Sequence, residues 1–272
     1  MKNKLFIPPT ALSIITTYKC SAKCHDCCFA CSPKRNEKLL LREIKKYVDD
    51  ATDSYPTIKI VILTGGESFL LKNNLIKIVE HIAKKGLFTR IITNGYWASN
   101  YEIAKEKLIP LVKSGLSEIN FSTGDDHIEF VPFERVKNGA MAALDLRITT
   151  LINVESGSDR KFNYELITKD ETLVNYIFPN KKENPLGIIN GLWMPFTEKS
   201  MNKSNDIDYN NCAKNELNKG KCTNLFNTKT ITPEHRMVAC CGLPSIYIKY
   251  IDLGNTQKFP IKKLYDAQFE DF

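Results

Sequence analysis

Five of the nine cysteines in this 272-residue chain crowd into one stretch, "YKCSAKCHDCCFACSPK", as Cys20, Cys24, Cys27, Cys28 and Cys31. Cys20, Cys24 and Cys27 have the spacing C-x3-C-x2-C, which puts three soft thiolate donors on one short loop. Such a set suits an iron–sulfur cluster, which proteins ordinarily hold by cysteine thiolates. It also suits structural zinc, which takes four protein ligands and would draw its fourth from Cys28 or Cys31. A disulfide framework is the remaining reading of clustered cysteines, but a chain of this length with 43% hydrophobic residues can bury a core without staples. Four more cysteines, Cys212, Cys222, Cys240 and Cys241, lie far downstream, the last two in "TITPEHRMVACCG", which reads as a strand, a Pro-containing turn and a second strand. They suggest a second metal site.

The elements that must position these groups alternate. "ALSIITT" (Ala11 to Thr17) reads as a strand and the cysteine loop follows it; Leu41 to Tyr55 has helical spacing; "IKIVILTGGE" (Ile58 to Glu67) reads as a buried strand ending in glycines; Asn73 to Gly86 reads as a helix closed by Gly86. The alternation continues through "FTRIITNG", "YEIAKEKLIPLVKSG", "SEINFSTG", "FERVKNGAMAALDL" and "RITTLINVES". Strands separated by helices imply βαβ units and a parallel sheet, either doubly wound or curled into a full or partial barrel. In both architectures functional groups collect at the carboxyl ends of the strands. The polar and glycine-rich clusters fall there, at Cys20 to Cys31, Gly65 to Glu67, Thr93 to Gly95, Ser122 to His127 and Asn153 to Ser156.

Composition narrows the class further. A quarter of the residues are charged and there are 14 Phe and 11 Tyr, which argues against disorder. The net charge of +7 arises from 38 basic against 31 acidic residues with lysines scattered along the chain, which reads as a solvated surface and not a nucleic-acid site. Pro8 and Pro9 interrupt the apolar N-terminal run, and no stretch approaches the roughly 18 apolar residues of a membrane span. The expectation is therefore a cytoplasmic protein with neither nucleic-acid nor membrane partners. The Lys/Asn-rich stretches from Asn180 to Asn184 and from Glu198 to Asn211 look like loops or a domain junction, which sets expected units at 1–196 and 197–272.

Taken in order, "KCSAKCHDC", "LTGGE", "TNG" and "FSTG" resemble the radical S-adenosylmethionine (radical SAM) enzymes. The resemblance spans residues 11 to about 156. It implies an α/β fold, a partial (β/α)6 TIM-like barrel, followed by a small C-terminal auxiliary Fe–S cluster segment. It also implies a [4Fe-4S] cluster on Cys20, Cys24 and Cys27 that leaves one iron open for S-adenosyl-L-methionine. By the same resemblance Gly65, Gly66 and Glu67 meet the methionine amino group, and Thr93, Asn94 and Ser122 the carboxylate or ribose. Asn153 and Val154 approach the adenosine. Each position also has an ordinary structural reading: Gly65 and Gly66 as a turn, Glu67 as a helix cap, Thr93 to Gly95 as a turn. The family often has an aromatic residue before the third cysteine, where this chain has Asp26, with Phe29 later. Gly124 occupies a position where Asp often stands, and the nearby acids Asp125 and Asp126 either bind cofactor or substrate or act as charges at a helix start.

The C-terminal cysteines resemble a shortened auxiliary-cluster (SPASM/twitch-like) domain of peptide-modifying radical enzymes. Adjacent strand residues face opposite ways, so Cys212, Cys222 and Cys240 as ligands would leave Cys241 free to face the substrate; if the chain bends, all four close one cluster. "CHDCCFACSP", "TGGESFL", "NGYW" and the "CCG" hairpin look closest to radical enzymes that epimerise residues in ribosomally made peptides. That likeness assigns Cys241 as the hydrogen donor ahead of Cys31, and Asp126 as a second catalytic candidate. The implied partners are a peptide substrate and an external electron donor of flavodoxin or ferredoxin type. With about ten residues before the first strand, a leader peptide would be held by the barrel surface or by a separate protein. Cross-linking or small-metabolite radical chemistry keeps every motif above, whereas a non-enzymatic zinc or Fe–S module has no use for the ordered strand-end positions.

Overall fold

The computed structural model describes residues 8–156, 161–177, 186–192, 227–240 and 251–267. Its elements in order are β1 (Ala11–Ile15), α1 (Leu41–Ser54), β2 (Ile60–Thr64), a 3-10 turn (Ser68–Leu71), α2 (Asn73–Lys84), β3 (Phe88–Thr93), α3 (Tyr101–Lys113), β4 (Glu118–Thr123), α4 (Asp125–Ile128), α5 (Phe133–Asp145) and β5 (Thr149–Ser156). There follow α6 (Tyr164–Thr168), α7 (Val174–Ile177), β6 (Gly187–Leu192), β7 (Thr228–Ile231), β8 (Arg236–Val238), β9 (Asp252–Asn255) and α8 (Ile261–Ala267). The nine strands among the described residues form one sheet in the order β6-β5-β4-β3-β2-β1-β7-β8-β9.

That order decides between the two parallel architectures. A doubly wound sheet reverses direction at a switch point and places helices on both faces. Here β1 to β6 run monotonically and all pair in parallel, so right-handed crossovers put successive helices on the same side and the sheet curls around its other face. Among the described residues β1 pairs with β2 on one edge and with β7 on the other, so β6 does not close against it. The barrel is partial.

Strand alternation sorts the side chains by face. Leu12, Ile14, Val61, Leu63, Ile91, Ile119, Phe121, Ile152 and Val154 join the helix-facing core with Ile44, Val48, Ile78, Val79, Leu108 and Ala140. Helix α3 accommodates Pro110 near its end and is capped by Asn100, whose side chain accepts the Ile103 N–H at 2.9 Å. The expected C-terminal hairpin is present: β7 and β8 are antiparallel, Thr230 opposite Val238. It continues the barrel sheet, because β7 lies parallel to β1 with Ser13 beside Thr230.

Candidate active site

The cysteine loop leaves β1 and returns upon itself before α1. Tyr18 N donates to Glu37 O at 3.0 Å, Ser32 N to Tyr18 O at 3.2 Å and Cys20 N to Ser32 O at 3.1 Å, so the neck of the loop is closed and residues 20 to 31 form an arch above it. Within the arch Cys20, Ala22, Phe29 and Cys31 are buried and pack with Ile15 and Tyr18, with Cys24, Cys27 and Cys28 against them. Phe29 therefore supplies the aromatic packing that the sequence does not place before Cys27.

Glycines carry the contact between this loop and β2. Gly66 N donates to Thr17 O at 2.7 Å, and Glu67 N to Lys19 O at 2.9 Å. A Cβ on Gly66 would stand 2.1 Å from the Lys19 carbonyl oxygen; one on Gly65, whose φ is +129°, would stand 2.5 Å from that of Thr17. The Gly-Gly pair is what lets the base of the cysteine loop lie against the end of β2.

Glu67 turns into the protein. Its carboxylate is wholly buried and accepts from Phe69 N at 3.0 Å, Thr93 Oγ1 at 3.0 Å and Asn94 N at 3.0 Å. It thus caps the 3-10 turn and ties β2 to β3. Burial raises its pKa to about 7 despite those donors. Thr93 Oγ1 also accepts from Trp97 Nε1 at 3.0 Å, and Trp97 stacks on Phe69 at 4.1 Å between ring centroids. Asn94 reaches the loop: its Nδ2 donates to Ser21 Oγ at 3.0 Å and lies 3.5 Å from Cys20 Sγ.

One cavity gathers these groups. It is lined by all five loop cysteines with Phe29, by Thr64, Gly65 and Gly66 from the end of β2, by Ile92, Thr93 and Asn94 from that of β3, and by Ser122 and His127 from that of β4 and from α4. A groove of about 670 Å³ between α1 and the start of α8, lined by residues such as Tyr47, Asp50 and Phe259, contains no thiol, so chemistry and not size selects the site. Of the residues expected here, the structure brings Cys20, Cys24, Cys27, Gly65, Gly66, Thr93, Asn94 and Ser122 together in the lining. Glu67, Asp126, Asn153, Val154 and Cys240 stand outside it. Asn153 is partly buried on the face shared with Ser122, its strand partner, whereas Val154 joins the helix-facing core. Cys240 is buried just past β8; Cys212, Cys222 and Cys241 lie outside the described residues. Thr64 and Ile92 were not anticipated, although period-two alternation from Ile62 and from Arg90 points both to this face.

The three thiols at the C-x3-C-x2-C spacing differ in how readily they ionise. Burial pushes Cys20 up to about 12, with Glu67 and Cys27 adding to it, and raises Cys24 further, helped by Cys27 and Cys20. Cys27 goes the other way, to about 6, chiefly because Cys31 hydrogen-bonds to its sulfur, with backbone donors including Cys31 N at 3.4 Å. Without a metal, burial therefore keeps Cys20 and Cys24 neutral while Cys27 ionises most readily; the three would ionise together only beside a bound positive group.

The comparisons with known proteins meet this geometry. Residues 14–161, more than half of the chain, match the model of the radical SAM superfamily. The chain belongs to the radical SAM superfamily. Among curated proteins it is 27% identical over 127 residues to a Bacillus subtilis (strain 168) protein named for peptide biosynthesis, YydG; the match takes in 47% of this chain and only 40% of that relative. Among solved structures it resembles anSMEcpe with bound AdoMet and Cp18Cys peptide, with a TM-score of 0.60 at 17% identity over 97% of this chain and 82% of that one. It also resembles BtrN in complex with AdoMet and 2-DOIA, with a TM-score of 0.57 at 11% identity over 98% and 87%. At such identities the likeness concerns the fold.

The residues lining this cavity suit the iron–sulfur cluster of the radical SAM superfamily. Five thiols line one cavity, Cys20, Cys24 and Cys27 among them at the C-x3-C-x2-C spacing, with glycine backbone and the Asn94 amide beside them. If the family's [4Fe-4S] cluster is bound, Cys20, Cys24 and Cys27 would be its ligands, and Gly65, Gly66, Thr93, Asn94 and Ser122 line the same cavity. Among the described residues no helix is long and apolar enough to cross a membrane.

Proposed function

We propose that this radical SAM enzyme modifies a ribosomally made peptide and epimerises residues within it. The observation that carries the peptide reading is the match to a relative named for peptide biosynthesis, over nearly half of this chain. A structural neighbour whose structure contains AdoMet and a peptide supports it. When bound, the cluster and S-adenosylmethionine supply a 5′-deoxyadenosyl radical by one-electron cleavage of the sulfonium. This chain's own task is to seat a peptide Cα at the strand ends and to return a hydrogen atom to the face opposite the one that lost it. We assign that donation to the thiol of Cys241, because an S–H bond is weak enough for a carbon radical to take its hydrogen. The thiyl left behind is restored by an electron and a proton.

In this reading Cys212, Cys222 and Cys240 hold a second, auxiliary Fe–S cluster in a C-terminal unit beginning near residue 197. Electrons come from an external flavodoxin- or ferredoxin-type donor, and a leader peptide is held by the barrel surface or by a separate protein. The test is anoxic. Reconstituted protein is assayed for iron and sulfide, given S-adenosylmethionine and a reductant, and examined for 5′-deoxyadenosine; a candidate peptide is then treated in D2O. Epimerisation through an exchangeable thiol adds one deuterium per inverted residue, and Cys241→Ala abolishes that incorporation while nucleoside formation and iron load persist. Loss of two hydrogens without deuterium would establish cross-linking instead. A zinc-loaded protein that forms no nucleoside would remove the enzymatic reading altogether.

A further inference from the structure

Backbone hydrogen bonds grip the neck of the cysteine loop, and one further support reaches its middle. Glu155, near the end of β5 and 1% exposed, accepts the backbone N–H of Asp126 on its Oε2 at 3.1 Å. Asp126, in the first turn of α4, accepts in turn the backbone N–H of Asp26 on its Oδ2 at 2.8 Å. Asp26 stands directly before Cys27 and two residues after Cys24. Two acids from adjacent strand ends thus reach from the sheet to the peptide that spaces two of the three ligand cysteines.

We propose that Asp126 and Glu155 are positioning residues that hold the Cys24–Cys27 segment in its ligating shape. The proposal rests on the reading of that loop as a cluster site.

Gly124 shows that the arrangement is built into the fold. Its φ is +144°, and a Cβ there would fall 2.2 Å from Glu155 Cβ and 2.6 Å from Glu155 Oε2. Only glycine leaves room for Glu155 to lie beneath the start of α4. The acid expected at position 124 is therefore absent for a steric reason, and a carboxylate enters the same place from β5. The link is directional: it consists of hydrogen bonds from the backbone N–H groups of Asp26 and Asp126 to carboxylate oxygens.

The test separates loop order from cluster chemistry. Hydrogen exchange of the peptide containing Asp26 is followed in metal-free protein for wild type, Asp126→Ala and Asp126→Asn; iron content and the electron paramagnetic resonance spectrum with S-adenosylmethionine are then recorded after reconstitution. For Asp126→Ala the loop peptide is expected to exchange roughly tenfold faster or more while β2 and β3 peptides are unchanged. The reconstituted variant is expected to take up less iron and to show a broadened spectrum. Asp126→Asn, which keeps an acceptor oxygen, is expected to lie between the two and to restore a spectrum like that of wild type. Should the alanine variant not fold, Asn carries the test, with exchange several-fold above wild type expected. Loop exchange within about twofold of wild type in an iron-binding protein overturns the relay. A wild-type protein that takes up no iron overturns the cluster reading instead, whatever the exchange shows.

Discussion

Replacing Gly66 by alanine tests the claim that glycine is required where the cysteine loop meets β2. The new Cβ would stand 2.1 Å from Lys19 O, 2.6 Å from Lys19 C and 3.0 Å from Tyr18 C, all backbone atoms, so no side chain can swing aside. Reaching ordinary contact at 3.4 Å needs a shift of about 1.3 Å. A shift of that size disrupts the two backbone hydrogen bonds, Gly66 N to Thr17 O and Glu67 N to Lys19 O. Overpacking costs about 1–3 kcal/mol, and each lost bond about 1 kcal/mol, so the expected loss is about 3–5 kcal/mol, a large part of a typical domain's stability. Gly86→Ala is the control. Gly86 has φ +73° but nothing within 4 Å of an added Cβ, so only the left-handed backbone opposes the change, at about 1–2 kcal/mol. The assay is denaturant unfolding of metal-free protein, with iron uptake measured afterwards. Gly66→Ala should lower the midpoint well beyond Gly86→Ala and take up less iron. Equal midpoints for the two variants, with wild-type iron uptake, would refute the argument.

Further predictions concern buried charge. Glu67 has its pKa raised by burial from 4.5 to about 7, so the fold favours its protonated form. Its contribution is fully present below pH 4.5 and is lost as pH rises to 7; metal-free wild type should lose about 3 kcal/mol over that window. Glu67→Gln should flatten the decline in pH-dependent denaturation. Lys229, 2% exposed with its Nζ 4.8 Å from the Tyr265 ring centroid, is lowered by burial from 10.5 to about 7. Its charge costs stability at and below pH 7, and wild-type stability recovers as pH rises toward 10.5. Lys229→Met should therefore raise the unfolding midpoint at pH 6, with the gain shrinking by pH 10. Tyr18 donates to Glu234 Oε2 at 2.8 Å, tying the hairpin turn to the cysteine loop; Tyr18→Phe should lower thermal stability by about 1 kcal/mol.

Much of the site was legible in the sequence because it consists of local motifs. Cys20, Cys24 and Cys27 share one loop, and Gly65, Thr93 and Ser122 each follow or end a strand whose alternating or β-branched pattern is plain. Spacing alone brings each motif to a strand end, and a parallel sheet brings the strand ends together. The partial barrel was not legible in that way: periodicity cannot distinguish a monotonic strand order from a doubly wound one, because the order is set by long-range pairing. The direction of single side chains was also a tertiary decision. Glu67 sits in the expected motif yet turns inward, because buried donors from Phe69, Thr93 and Asn94 surround its carboxylate. Val154 faces the helices while its neighbour Asn153 faces the other way, a matter of register that β4 sets. Asp126 reaches Asp26 across a hundred positions of sequence, and Gly124 yields its space to Glu155, contacts that no local pattern encodes. The sequence by itself determined which chemical groups this protein brings to its strand ends. The tertiary structure decided which of them face the shared cavity and which hold the others in place, because that depends on packing between residues far apart in the chain.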